Sequence, residues 1–284
     1  MNVARRVTVG VCMCAIMLLA SAGCAVRGSA GPTSAPEPTL GVVATIDRPG
    51  EVTRPIDGYL PSGDEVAQLV AEQYTAINAC LTKHGVNGRA GLANPQDLNA
   101  YIAGSLSDRV ERSDLWGFFA VDTASQYGYR RPPGTPDGLQ SSVPADSTPD
   151  VTDACFKAGN DVFDGGDPFS YLGYGALPDG GPQLPATDSR YVAAVGKWRA
   201  CMRDRGFDFT DPIAAIGDAR WRTPTATANE IATAVADVDC KVSTNTVGIG
   251  AALETAYDQR YITAHLGAVI DFRTKIDGYL RGSS

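Results

Sequence analysis

Apolar side chains recur at spacings of three and four in six stretches of this chain, and each stretch predicts an amphipathic helix. The first follows Ser62-Gly-Asp-Glu65, a capping box in which serine and glutamate satisfy each other's backbone amides. It carries Val66, Leu69, Val70, Ile77 and Leu81 and stops at Gly85. The second runs from Pro95 to about Arg112 with Leu98, Ile102 and Leu106 on one side. Thr148-Pro149 opens the third, which ends near Phe163 and aligns Val151, Cys155, Ala158 and Val162. The fourth, stopped by Gly206, aligns Tyr191, Val195, Trp198, Cys201 and Met202. Thr227-Ala-Asn-Glu230 is a second capping box, and its helix bears a stripe of Ile231, Val235, Val238 and Val242. Cys240 falls nearly opposite that stripe, so the small-residue side is expected against the Cys201 helix and the valine side against another partner. The sixth, about Val247 to Leu280, would be roughly 50 Å long. Its inward stripe is Tyr261, Ile262, His265, Leu266, Val269, Phe272, Ile276 and Leu280.

The connections divide these helices into two groups. Residues 62–163 read as a first helical half, closed by a buried turn carrying Trp116, Phe118, Phe119 and Val121, with an exposed proline-rich loop from Arg131 to Pro149. Residues 164–187 are dense in glycine and proline and read as a joint; residues 188–284 form the second half with the long terminal helix. Phe169, Tyr171 and Tyr174 in the joint either hold the loop over the core or stack on sugar rings.

Ahead of the helices the pattern changes. Arg5 and Arg6 precede an apolar run from Val7 to Ala20, too short and too early for a membrane span, which is the layout of an export signal over residues 1–23. Ser21-Ala22-Gly23-Cys24 resembles the lipobox of bacterial lipoproteins, departing from it at Ser21, where an aliphatic residue is usual. That resemblance implies acylation of Cys24 and a lipid anchor on the outer face of the cytoplasmic membrane. Residues 24–61, rich in Gly, Ser, Thr and Pro, are then expected to act as a flexible tether.

Four cysteines remain beyond Cys24: Cys80, Cys155, Cys201 and Cys240. An even number in an exported chain points to disulfides, with three possible pairings. Cys80 and Cys201 each lie shortly before a helix-ending glycine, whereas Cys155 and Cys240 each follow an aspartate and precede a lysine. A duplicated half with its own bridge pairs Cys80 with Cys155 and Cys201 with Cys240. A four-cysteine zinc site is the rival, and it lacks any close Cys-x-x-Cys pair.

Charge and motif content narrow the function. The formal charge is −8, and residues 1–23 hold two arginines and no acid, so the remainder is more acidic still. Nucleic acid, which needs a basic face, is an unsuitable partner. Two histidines, His84 and His265, make a histidine-based metal centre unexpected. Nucleophile elbows, phosphate loops, dinucleotide fingerprints and zinc-protease motifs are absent, so neither a cofactor nor a catalytic residue is assigned. The sharpest candidate for ligand binding is the row Glu254, Asp258, Tyr261 and His265, spaced four, three and four along one helical face. Two carboxylates in line with a histidine would suit a cation or acid–base chemistry. The plainer reading is a core-edge histidine with solvated acids.

The block WRACMRDRGFDFTDP, then ARW, ADVDCK and the closing AYDQRY helix resembles a family of actinobacterial exported lipoproteins, and LWGFFAV…YGY fits the same pattern. The resemblance covers about residues 62–280 and implies location and fold; it carries no catalytic residue over. The expected protein is a mainly α-helical, disulfide-stapled ectodomain of two related halves with a long C-terminal helix. Its expected role is a non-catalytic binding module for a cell-wall glycan or a membrane protein. An envelope hydrolase built on the Glu254 row, or a lipoprotein binding a cation or small molecule, stand as alternatives.

Overall fold

A computed structural model describes residues 36–183 and 186–282. The signal segment 1–23 and Cys24 lie outside the described residues. Among the described residues eight α-helices carry the fold: α1 Gly63–Lys83, α2 Asp97–Glu111, α3 Ala124–Tyr127, α4 Pro149–Asp161, α5 Ser189–Asp204, α6 Pro212–Ile216, α7 Ala228–Ser243 and α8 Thr246–Arg281. Extended structure among the described residues amounts to two short antiparallel pairings, Gly91–Leu92 with Ser141–Ser142 and Arg112–Ser113 with Gly117–Phe118. The protein is mainly α and disulfide-stapled. No described helix is long and apolar enough to cross a membrane.

Local rules set the helix ends. Ser62 Oγ accepts from the Glu65 amide, Glu65 Oε2 accepts from the Ser62 amide at 2.7 Å, and Gly85 at φ 77° ends α1. Gly206 at φ 86° ends α5, where the Phe207 amide reaches back to Met202 O. The structure closes the bridges Cys80–Cys155 and Cys201–Cys240, with Cα atoms 5.3 and 5.7 Å apart. The first staples α1 to α4 and the second α5 to α7. In the chain-entropy account each such loop closure stabilises the fold by roughly 4 kcal/mol.

Helix α8 binds the rest together. Its first turns, with Leu253 and Tyr257, pack on Leu115, Trp116, Phe119, Tyr191 and Ile46; its middle, with Tyr261, Ile262 and Val269, packs on Ile56, Leu60 and Leu177. Ile276 near its end joins Leu69 of α1 and Phe163. Gly250 permits the closest part of this packing, because a Cβ there would sit 2.6 Å from the Trp116 ring.

The two halves pack together in one compact unit, residues 37–284. Four expectations are corrected. The turn assigned to closing the first half supplies the second, since Trp116 and Phe119 pack on α5 and α8, and Phe118 on Trp198, Met202 and Cys240. The tether reading of residues 24–61 fails from Glu37 onward. That stretch is a strap with short 3-10 turns at Pro49–Glu51 and Pro55–Tyr59, and it buries Ile46, Ile56 and Leu60. Its proline and glycine content shapes turns rather than freedom, because three aliphatic side chains find slots along α8. The aliphatic stripe of α7 is only partly covered, with Ile231, Val235 and Val242 half-buried. Val238 of the stripe is buried, and the Cys240 side meets the Cys201 helix as expected, but it also seals the polar Glu230, Thr233, Asp237 and Lys241. Leu266, assigned inward on α8, is 48% exposed, because the helical path breaks beside it at His265 (φ −121°, ψ 20°).

Candidate functional site

The predicted row on α8 divides into two separate structures. Asp258 and Glu254 are buried, and Arg54 of the strap lies across them. Its Nη2 and Nε donate to Asp258 Oδ1 and Oδ2 at 2.5 and 3.0 Å, and its Nη1 donates to Glu254 Oε1 at 3.3 Å. The guanidinium also stacks on Tyr174, 4.0 Å from the ring centroid, and Tyr174 donates to Asp57. One cation thus serves two sealed carboxylates, and Asp258 takes the bidentate share. Glu254 is left with the weaker contact; burial, helped by neighbouring Asp258 and opposed by Arg54, pushes it up to about 7.

That shift has a sign. A carboxyl near 4.5 unfolded and about 7 folded binds its proton more tightly in the native state. Its contribution is therefore complete below pH 4.5 and lost as pH rises through 7, a swing of roughly 3 kcal/mol. Urea unfolding of the wild type and Glu254→Gln across pH 4.5–8 should show their stability difference change by that order in favour of the variant. Parallel curves would mean that Glu254 stays ionised throughout.

Tyr261 and His265 belong to a different contact. Their rings stack at 4.7 Å, Tyr261 donates to Pro178 O at 2.5 Å, and His265 Nδ1 lies 3.3 Å from Asp179. Glu254 and His265 are eleven residues apart, about 16 Å along a helix, so the acids and the histidine do not converge. The joint aromatics are likewise engaged. Phe169 meets Tyr101 edge-on, Tyr171 meets Phe272, and Tyr174 lies against Arg54. Their geometry is that of rings holding a loop down.

Sequence reading missed a second polar network, inside the core. Lys241 and Asp237 are fully buried; Lys241 Nζ donates to Asp237 at 2.7 Å and to Phe118 O at 2.6 Å. Trp198 Nε1 donates to Asp237 Oδ1 at 2.8 Å, and the Tyr129 hydroxyl donates to Oδ2 at 3.3 Å. Nearby, Glu230 turns inward to Arg130, so the Thr227 cap forms without its reciprocal half. Gly128, at φ 60°, lets the chain pass over Glu230, where a Cβ would lie 3.0 Å from its Cγ. An Asp–Lys pair four apart usually marks a solvated face, and only the indole of Trp198, needing an acceptor, hinted otherwise. Lys241, Asp237 and Glu230 are sealed from solvent and hold the fold.

His84 and the sulfurs of Cys80 and Cys155 lie within 4.8 Å of one another. Both sulfurs are spent on their bridge, so this triple offers a cation only the imidazole.

An open concavity lies elsewhere, around the loop from Arg130 to Thr135. On one side a cleft of about 510 Å³ is lined by Arg112, Arg130, Arg131, Pro132 and Asp137. On the other, about 460 Å³ is shared by the same arginines with Ser107, Asp108, Glu111 and Thr123. Arg112 Nε faces Asp108 at 3.3 Å, and Arg131 Nη2 donates to the same carboxylate. Burial, opposed by Asp108 and helped by Arg131, holds Arg112 below the usual guanidinium range while leaving it a cation at neutral pH, and burial raises Glu111. Three guanidiniums in one recess stand out on an acidic chain.

These features define a disulfide-stapled helical domain with a sealed ionic core and an open, arginine-lined cleft. No family model matches the chain, and no curated protein or solved structure was found to match it.

Proposed function

We propose that this protein is an exported lipoprotein, anchored through Cys24 to the outer face of the cytoplasmic membrane, whose folded part is a non-catalytic binding module of the cell envelope. The address rests on the signal-like residues 1–23, the lipobox-like Ser21–Cys24 and the resemblance to actinobacterial exported lipoproteins. The observation that carries the binding role is the contrast between the two acid-bearing regions. The α8 acids are covered by Arg54, whereas the Arg112–Arg131 cleft is open and large enough for a small ligand. A hydrolase or cation site at Glu254, Asp258 and His265 has less in its favour, since Arg54 occupies the acids and the histidine lies along the helix from them.

Binding is tested on residues 24–284 with Cys24→Ser, mixed with purified cell-wall sacculi at low and high salt. Retention of the chain above a control of similar charge is expected. A chain that washes through at both salts would end the wall-binding reading and turn attention to membrane-protein partners. In cells, the wild-type chain should enter the detergent phase and the Cys24→Ser chain the aqueous phase; identical partition would remove the anchor.

A further inference from the structure

Resting on that binding reading, we infer that the cleft around residues 130–135 takes a sugar bearing a single carboxylate or phosphate, held by Arg112 and Arg130. Arg130 spends Nε and Nη2 on Glu230, Trp221 O and Thr223, and its Nη1 has no protein acceptor among the described residues. Arg112 spends Nε toward Asp108, and its two terminal nitrogens have none. Both arginines line both clefts, and neither contributes an atom to the buried unpaired groups, so these N–H groups face solvent-filled space.

The charge pattern sets the kind of anion. Asp108 is shared between Arg112 and Arg131, and Arg131 also faces Asp137 at 3.7 Å, so Arg112 holds only a share of one carboxylate. A carboxylate or phosphate oxygen entering beside them gains charge-assisted hydrogen bonds to a partly desolvated cation. Asp137 and Glu111 stand further round the same walls and repel a second negative charge. A polyanion is therefore disfavoured, and a monoanion carrying hydroxyl groups is favoured, because Ser107, Thr123, Thr135 and the acids supply hydrogen-bond partners for hydroxyls. The Pro132–Pro133 wall offers an apolar face to ring C–H groups, and the volume suits one or two sugar units.

Asp108 acts in this arrangement as an internal competitor for the guanidiniums. The test therefore has one variant that weakens and one that strengthens. Residues 24–284 with Cys24→Ser are titrated calorimetrically at pH 5 with galacturonate and with glucose 1-phosphate, each mainly a monoanion at that pH, and with neutral maltose. Binding of one or both acidic sugars, and none of maltose, is expected; the arm that responds distinguishes carboxylate from phosphate. Arg112→Gln should weaken that binding about tenfold or more, and Asp108→Asn should tighten it severalfold. A merely structural Asp108 would loosen the cleft and weaken binding instead. Failure of both acidic sugars to bind, or an unchanged affinity in Arg112→Gln with an unchanged thermal melt, would overturn the inference. Retention on sacculi that survives in Arg112→Gln would leave the binding module standing and move its ligand to another surface.

Discussion

Lys241→Ala is expected to lower the unfolding free energy by about 3–5 kcal/mol, measured by urea denaturation with both disulfides intact. Lys241 sits at zero exposure with its ammonium divided between Asp237 and the Phe118 carbonyl. Removing it leaves Asp237 buried with only the Trp198 and Tyr129 donors, and leaves the Phe118 carbonyl without its partner. It also opens a cavity behind Trp198. The double replacement Asp237→Leu with Lys241→Met removes both charges and keeps the volume, so it should recover much of the loss. A single variant within 1 kcal/mol of wild type would show that the pair does not hold this core. Because Phe118 and Tyr129 lie between α2 and α4 while Trp198 and Lys241 lie on α5 and α7, the network also explains why the chain folds as one unit.

Arg54→Ala should cost a similar amount, about 3–5 kcal/mol at pH 8, by leaving Asp258 and Glu254 sealed beneath the strap without a cation. Here the loss depends on pH. With the guanidinium gone, both acids escape their mutual repulsion by taking up protons, so the deficit should shrink toward pH 5. Hydrogen exchange supplies the local readout. The Ile46 amide, held by Asn245 Oδ1, should lose protection as the strap lifts, while the disulfide-bridged pair α1 and α4 keeps its protection. A deficit independent of pH would point to lost packing on Tyr174 rather than to unpaired carboxylates.

Much of this architecture was legible from spacing, because its determinants lie within one helical turn. Capping boxes, stop glycines and apolar periodicity act between residues three or four apart, and they placed α1, α5 and α8 close to their observed ends. The cysteine surroundings were legible for the same reason, each pair sharing a local context. The open cleft was not. Arg131 opened a stretch read only as an exposed loop, Arg130 was given no role, and Arg112 sat at a helix end. Nothing local says that a loop will fold back over α2 to face them into one recess.

The remaining errors share a cause. Residues 37–61 have the composition of a linker, and only the slots along α8 turn them into a strap; the Arg54–Asp258 contact spans 204 positions. On α7 the side that meets the Cys201 helix also seals Glu230, Asp237 and Lys241, which the sequence did not reveal because Trp198, Tyr129 and Arg130 bring the donors to those acids from a distance. The sequence by itself determined where helices begin and end, that the protein is mainly α, and which cysteines share a local setting. The tertiary structure alone decided which polar groups are sealed and which stay open, since burial of a charge depends on a partner that the chain supplies from a distance.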